Sequence, residues 1–199
     1  MKALTYKQYR MINIILLTVV FVIAESAVTL GANLWFRELP YVLSLAVLFT
    51  SLEMMRWRGF GAIAAVVSGA VFCAASGAAP HQYLIYCLGN LAMLLALIYL
   101  KKIGYGKVRE SALLSIGYVL IVFLLAQLGR WAVSLVFGAE PLMLVQFVTT
   151  DSLSLLFAII AILILRNADG VYEEQKAYLM RLEEERRTKD EHGEDLYRH

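Results

Sequence analysis

Long apolar runs alternate with short polar gaps along this chain, and the pattern predicts its secondary structure. A helix needs about 20 mostly apolar residues to cross a hydrocarbon core about 30 Å thick, and each run approaches or exceeds that length. The runs cover residues 12–36, 40–55, 60–79, 83–100, 111–137 and 142–165, and the second is short, so its predicted span extends to residue 57. They do not alternate in polarity at every second residue, as membrane β-strands do. The pattern therefore predicts an all-α, polytopic membrane protein, with a six-transmembrane-helix bundle over residues 1–166.

The gaps between the runs differ in charge, which predicts their orientation. Sixteen of the 18 Lys and Arg residues lie before run one, between runs two and three, between runs four and five, or after run six. Only Arg37 and Arg130 lie elsewhere. Since cytoplasmic loops of membrane proteins carry the excess of Lys and Arg, we expect a multi-pass protein of the cell (inner or plasma) membrane with both termini cytoplasmic.

Composition agrees with this interpretation and excludes some functions. Hydrophobic residues make up 60% of the chain, and the mean hydropathy is +0.68. The net charge of +2 is explained by topology, so nucleic acid is not an expected partner. Ala24 to Ala27 could end a signal peptide, but the first apolar run is longer than a usual signal core. We therefore expect the first run to be retained as a membrane span.

Four ionisable residues lie inside the apolar runs, where such groups are costly and are functional candidates by default. They are Glu25, Glu53, Arg130 and Asp151. Glu53 is one helical turn from Arg56, so a local ion pair is expected there. The other three lie at a similar depth, slightly on the outer side of the middle of their spans, if each helix rises uniformly.

Helical periodicity indicates which polar residues share a face with these three, because positions three, four and seven apart lie on one side of a helix. The faces predict one outward-biased cavity fed by spans four, five and six. Its expected substrate-binding residues are Arg130 and Asp151 as principal contacts, Asn90, Gln127 and Glu25 as secondary contacts, and Tyr83 and Tyr86 as walls. The alternative is that the same groups form a structural network that joins the spans. The sequence leaves both interpretations open.

No catalytic or metal-binding motif accompanies these residues, so neither an enzyme nor a cofactor is expected. Cys73 and Cys87 fall at similar depths on spans three and four, but buried cysteine is more often a small apolar residue than a disulfide partner. Span three is rich in Gly and Ala between Gly59 and Ala79. Small residues let helix backbones approach closely in a membrane, which favours internal packing of this span over docking on a partner.

The last 33 residues, 167–199, are polar and form a separate cytoplasmic segment. Val171, Gln175, Tyr178 and Leu182 make a narrow stripe that predicts an amphipathic helix, with Asn167 and Asp169 as candidate capping residues. This helix could lie against the inner ends of the bundle, or it could dock a partner or dimerise. After Arg187 the sequence is charged and has no apolar periodicity, so we expect disorder there.

The architecture predicted for residues 1–166 resembles the substrate-binding S components of energy-coupling factor transporters. The resemblance implies binding of a vitamin-like or other small solute, with a membrane coupling subunit and cytoplasmic ATPases as partner chains. Independently of the resemblance, Arg130 would be the natural partner of an anionic group on the solute, because its planar fork suits carboxylate or phosphate. In that family an Ala-x-x-x-Ala pattern in the first span contacts the coupling subunit. Here Ala24, Ala27 and Ala32 depart from that spacing.

The sequence as a whole predicts a membrane-embedded small-solute binding or uptake subunit, in contact with membrane lipid. An alternative is a non-transporting membrane subunit or sensor, in which the polar residues only join helices and the cytoplasmic segment recruits a partner.

Overall fold

Helices make up nearly all of the computed structural model, which describes residues 5–35 and 41–196, with side chains as far as residue 188. In chain order they are α1 (Tyr6–Trp35), α2 (Ala46–Trp57), α3 (Gly61–Ser76), α4 (Pro80–Asn90), α5 (Leu97–Ile103), α6 (Tyr105–Glu110), α7 (Ala112–Val136), α8 (Met143–Thr150), α9 (Ser152–Leu165) and α10 (Gln175–Leu196). Two 3-10 segments, Arg58–Phe60 and Leu91–Ala96, join α2 to α3 and α4 to α5. Since no strand occurs in these ranges, the all-helical prediction is confirmed. The predicted span ends at Phe36 and Pro40, and the last three residues of the predicted tail, lie outside the described residues.

Four helical stretches are long and apolar enough to cross a membrane: Tyr6–Trp35, Ala46–Ser76, Pro80–Ile103 and Ala112–Val136. A fifth is added if α8 and α9, which are bent by 45° at their junction, form one crossing. The described residues therefore carry four or five candidate spans by length and composition, where the apolar runs predicted six.

The stretch Ala46–Ser76 reverses direction at Arg58, which has a φ of 56°. Near the start of α1, Asn13 Oδ1 accepts a hydrogen bond from Trp57 Nε1 at the end of α2 (2.9 Å). Near the end of α1, Asn33 Nδ2 donates to the carbonyl oxygen of Ala75 at the end of α3 (3.4 Å). These contacts place α2 and α3 along α1 in opposite directions, so the stretch is a hairpin rather than one straight helix.

The predicted second helix, 40–57, is a helix only from Ala46 onward. Residues 41–45 are not helical. Their backbone groups are satisfied by other elements: the Val42 N–H donates to Thr150 O (2.9 Å) and the Ser44 N–H donates to Ser154 Oγ (2.8 Å). Irregular backbone is tolerated at membrane depth only where protein surrounds it, and these contacts with the α8–α9 region meet that condition.

The predicted sixth helix, 142–165, is broken at Asp151, which separates α8 from α9. Before the break, the hydroxyls of Thr149 and Thr150 donate to the carbonyl oxygens of Val145 (2.9 Å) and Gln146 (2.8 Å). Such bonds from a hydroxyl to the preceding turn often bend helices. The polar residues from Thr149 onward thus provide a local cause for the break.

The small-residue helix α3 packs inside the bundle, as its composition favoured. A Cβ atom on Gly69 would come within 2.7 Å of the backbone at Tyr86 and Cys87, so α3 and α4 touch through their backbones. Both cysteines are free thiols. The buried face of α3 includes Ala64, Ala65, Ser68 and Cys73, while Ile63 and Val66 are exposed on its other face.

The segment that follows α9 folds back under the bundle at the end where α2, α5 and α6 also meet. Arg56 Nη1 donates to the carbonyl oxygens of Gly170 (2.6 Å) and Val171 (2.8 Å), and Tyr172 and Gln175 are buried. Helix α10 begins at Gln175 rather than beside the expected capping residues. Asp169 instead binds Arg181 (2.7 Å) and Arg109 (3.2 Å).

Candidate functional site

A close crossing of α4 and α7 positions the polar residues that the sequence singled out. Gly89 on α4 and Gly129 on α7 lie against each other, and a Cβ atom on Gly89 would come within 2.6 Å of the Arg130 backbone. Because glycine allows this approach, Asn90 and Arg130, each the next residue in its helix, come side by side. The sequence Gly89-Asn90 on α4 therefore lies against Gly129-Arg130 on α7.

Arg130 is the centre of a buried hydrogen-bonded cluster. Its Nε donates to Asn90 Oδ1 (2.8 Å), and its Nη1 donates to Asp151 Oδ2 (2.8 Å) and to Gln127 Oε1 (3.3 Å). Gln127 Nε2 also donates to Asp151 Oδ2 (2.8 Å), and the Tyr86 ring lies 4.7 Å from the guanidinium carbon. The predicted convergence of these five residues, from three different spans, is thus present in the structure.

The cluster is charge-balanced and almost inaccessible, since Arg130 and Asp151 each keep 3% of their surface exposed. Asn90 extends it to α3 through bonds from Nδ2 to Ser68 Oγ (3.0 Å) and Ala65 O (3.2 Å). One acceptor remains unused: Asp151 Oδ1 is buried without a hydrogen-bond partner among the described residues. The arrangement joins four spans and has one oxygen left to accept a further donor.

Glu25 lies in a second network instead of joining this cluster. Its carboxylate accepts bonds from Ser44 Oγ (2.6 Å) and from the Leu45 backbone N–H (2.5 Å). The N–H groups before α2 have no helical partners, and a carboxylate is favoured at that end of the helix dipole. Glu25 therefore holds the start of α2 inside the bundle, a role that the depth argument did not predict.

A cleft opens at the end of the bundle where α4 begins and α7 ends, just beyond the Arg130 cluster. We call it the α4–α8 cleft; its volume is about 530 Å³. Its walls are aromatic and its lining also includes hydroxyl, amide and imidazole groups. The lining residues are Tyr41, Val42, His81, Gln82, Ile85, Tyr86, Ser134, Phe137, Gly138, Ala139, Met143, Gln146, Phe147 and Thr150.

The floor of the α4–α8 cleft connects it to the cluster. Tyr86 lines the cleft and also covers the Arg130 guanidinium, while Ser134 lies one turn beyond Arg130 on α7 and Thr150 precedes Asp151. Of the predicted binding residues only Tyr86 lines this space. Arg130, Asp151, Asn90 and Gln127 form the layer beneath it, Glu25 belongs to the network at α2, and Tyr83 is half-buried on α4 outside the cleft.

Sequence reasoning missed several of the cleft residues. His81, Gln82 and Gly138 lie in the gaps between the apolar runs, and Tyr41 lies at the start of the second run, so none of them was among the expected binding residues. Ser134 follows Arg130 by four residues and therefore lies on the same face of α7. Among the described residues, no group of three His, Cys, Asp or Glu side chains could hold a metal ion.

A comparison of the chain with protein-family models, with curated proteins and with solved structures finds no match to any of the three.

Proposed function

We infer that this protein is a small-solute binding and uptake subunit of the cell membrane, with its solute site in the α4–α8 cleft. The observation that carries the proposal is the cleft itself, whose volume of about 530 Å³ lies in the usual range for small-molecule pockets. Aromatic walls with a few converging polar groups are also typical of such pockets. Four aromatic side chains, Tyr41, Tyr86, Phe137 and Phe147, are among the residues that line the cleft.

The residues that line the α4–α8 cleft also indicate the charge of the solute. None of the described lining residues is Asp, Glu, Lys or Arg. The charge of Arg130 beneath the floor is already balanced by Asp151 at 2.8 Å. We therefore expect a neutral solute with a ring that stacks on the aromatic walls and with polar groups that reach Gln82, Gln146 or Thr150. An anionic solute, which Arg130 suggested from sequence, is less well matched to this lining.

Six crossings with both termini cytoplasmic belong to the same proposal. The two arms of the Ala46–Ser76 hairpin count as separate crossings, and residues 41–45 lengthen the short arm α2. Helix α2 spans only about 18 Å at 1.5 Å per residue, so these extended residues are needed for it to reach the outer surface. The ion pairs of Arg58 and Arg109 with the segment after α9 support one cation-rich end, which is cytoplasmic by the positive-inside rule.

On this proposal the α4–α8 cleft faces outward, and uptake requires partner chains. The resemblance to S components of energy-coupling factor transporters names them as a membrane coupling subunit and cytoplasmic ATPases. Their presence is tested by affinity purification of the tagged full chain from its native membrane, followed by identification of co-purifying ATPases.

Solute binding is tested by melting the purified full chain in detergent with a panel of neutral ring compounds, including vitamins, nucleobases and nucleosides. We expect at least one compound to raise the melting temperature, because a ligand that binds only the folded state stabilises it. If no panel compound shifts the melting temperature at millimolar concentration, the proposal is wrong.

Thr150 and Thr149 provide a matched pair of variants for the stabilising compound. Both hydroxyls donate to a carbonyl of the preceding turn, but only Thr150 lines the α4–α8 cleft. Thr150→Val is expected to weaken binding about two- to tenfold, the equivalent of one hydrogen bond. Thr149→Val should leave it unchanged. Equal effects of the two variants would place the compound elsewhere.

The sensor function remains a second candidate because of one observation on α10. Residues 182–188 of this helix are all exposed, while the anchoring contacts of the segment lie earlier, between Asp169 and Arg181. A helix exposed in this way is available to a cytoplasmic partner. Deletion of residues 183–199 would then abolish activity in cells while Thr150→Val is tolerated, which is the opposite of the result expected for solute uptake.

A further inference from the structure

A second pocket lies at the opposite end of the bundle, where α1 begins and α2 turns into α3. We call it the Arg10 pocket; its volume is about 420 Å³. The residues that line it are Tyr6, Arg10, Arg56, Trp57, Arg58, Gly59, Phe60, Glu174 and Lys176. From this lining we propose that the Arg10 pocket binds the phosphate headgroup of an anionic phospholipid.

Charge is the first argument, since four cations line the Arg10 pocket and only one carboxylate accompanies them. Within the described residues, neither Arg10 nor Arg56 has a carboxylate oxygen within 4 Å, and Arg58 reaches Glu174 only at 3.7 Å. The neighbouring cluster differs, because Arg109 and Arg181 both bind Glu173 there, at 2.7 and 3.2 Å. The pocket is therefore positively charged, and an anion would neutralise it.

Arg56 makes this imbalance costly because it is buried. Among the described residues, its hydrogen bonds go to neutral acceptors: the carbonyl oxygens of Gly170 and Val171 and the side chain of Asn13 (3.0 Å). The Glu53 carboxylate, one turn earlier, acts on its charge but makes no ion pair with it within 4 Å. Buried charges are normally paired. A phosphate in the adjoining space would supply a direct countercharge.

Arg10 is positioned to take part. Its guanidinium carbon lies 4.4 Å from the centre of the Phe60 ring and 6.0 Å from that of Tyr6. Stacking on a ring fixes the plane of a guanidinium while its edge stays available, and the planar fork of Arg suits phosphate oxygens. The aromatic residues thus orient the cation as well as lining the pocket.

A lipid is favoured over a soluble phosphate because apolar surface continues from the Arg10 pocket along the bundle. Phe60, just before α3, and Ile63 and Val66 on α3 are exposed at intervals of three residues, and Met11 and Ile15 are exposed on α1. Tyr6 and Trp57 are aromatic residues at a bundle end, where interfacial aromatics are expected. A phospholipid can place its phosphate among the cations and its acyl chains on this surface, and basic pockets at such positions bind anionic headgroups.

The test is native mass spectrometry of the full chain in detergent, titrated with phosphatidylglycerol or with phosphatidylcholine of the same acyl chains. We expect one phosphatidylglycerol to be retained per chain and phosphatidylcholine to be lost. Arg10→Gln should weaken retention about fivefold, the contribution of one cation near a headgroup. Lys102→Gln removes a cation at the same end but outside the pocket and should have no effect.

Glu174→Gln distinguishes the proposal from a folding defect because its effect has the opposite sign. This variant removes the one carboxylate among the described residues that line the Arg10 pocket, so it should tighten phosphatidylglycerol binding. Equal retention of the two lipids, equal effects of Arg10→Gln and Lys102→Gln, or weaker binding by Glu174→Gln would each overturn the proposal. Displacement of the lipid by inorganic phosphate would do so too, since the site would then be one for a soluble anion.

Discussion

Arg130 and Arg56 are both buried in the helical bundle, but their charges are compensated in opposite ways. Arg130 faces a carboxylate, with Asp151 Oδ2 at 2.8 Å, and two amide side chains complete the cluster. Arg56 has only neutral acceptors, two backbone carbonyl oxygens at 2.6 and 2.8 Å and Asn13. The first arginine locks spans to one another. The second ties the bundle to the segment after α9 and leaves its positive charge to be balanced by its surroundings.

The largest expected effect follows from breaking the Arg130 pair. Arg130→Met leaves the Asp151 carboxylate buried without a cation, which typically costs about 3–5 kcal/mol of stability. The double variant Arg130→Met with Asp151→Leu removes both charges and should recover most of that loss. The measurement is unfolding of the purified variants in detergent. A double variant as unstable as the single one would contradict the interpretation of this cluster as a charge-balanced structural pair.

Arg56→Met is expected to have a smaller effect, because no carboxylate within 4 Å loses its partner. The variant leaves the carbonyl oxygens of Gly170 and Val171 without their charged donor. A hydrogen bond to a charged group contributes about 1.5–3 kcal/mol to stability. The loss should be local: backbone amides between residues 170 and 181 should exchange hydrogen faster, while those of α7 keep their protection. Lys102→Met, at an exposed position of the same end, serves as the control. Uniform deprotection of the whole bundle would show that Arg56 acts in the core as Arg130 does.

The comparison also shows what a single sequence could predict. Depth and helical periodicity brought Arg130, Asp151, Asn90 and Gln127 together, because all four lie on regular parts of their helices or at a helix end. The same reasoning placed Glu25 with them, since depth says nothing about which neighbour a residue faces. The start of α2 was missed for a related reason: residues 41–45 are as apolar as a helix, and their conformation depends on a carboxylate 20 residues earlier.

Local spacing predicted only part of the surroundings of Arg56. Glu53, one turn earlier, does act on the charge of Arg56, but the described residues contain no ion pair between the two within 4 Å. The hydrogen bonds of Arg56 go instead to carbonyl oxygens more than 110 residues away. Glu53 Oε2 is buried without a hydrogen-bond partner in the same ranges. Pairing between neighbours in sequence can be predicted from helix geometry, whereas a contact with a distant loop depends on the tertiary fold. The α4–α8 cleft was only partly predicted for the same reason, because loops supply several of its walls.

Gly89→Ala tests the packing around the Arg130 cluster without changing any charge. The added methyl group would meet the Arg130 backbone at 2.6 Å and must push α4 and α7 apart. Overpacking of this kind costs about 1–3 kcal/mol. Gly31→Ala is the matched control, since a Cβ atom there has no neighbour within 4 Å and alanine favours the helix. We expect a lower unfolding temperature for Gly89→Ala but not for Gly31→Ala. Equal unfolding temperatures would mean that α4 and α7 pack less tightly at this crossing than its geometry indicates.

The smallest effect is expected at the partly exposed ion pairs that supplement Arg56. Arg109→Gln removes the bond to Glu173 at 2.7 Å and should speed amide exchange between residues 173 and 181 about two- to fivefold, because such pairs contribute little and are screened by salt.

Hydrogen bonding from Arg181 holds the pKa of Asp169 below its ordinary value. Asp169 therefore stabilises the docked segment above the ordinary pKa of an aspartate, and this contribution is lost as the pH falls through the lower pKa of the folded state. Acidification should thus loosen residues 172–181 before it affects α7, and high salt should do the same at neutral pH. Arg56 should keep its hydrogen bonds to the carbonyl oxygens of Gly170 and Val171 under both conditions, because these acceptors do not titrate as acids. If amide exchange at Gly170 and Val171 followed the same salt dependence as that of the Asp169 ion pairs, the carbonyl bonds and the ion pairs would not be independent.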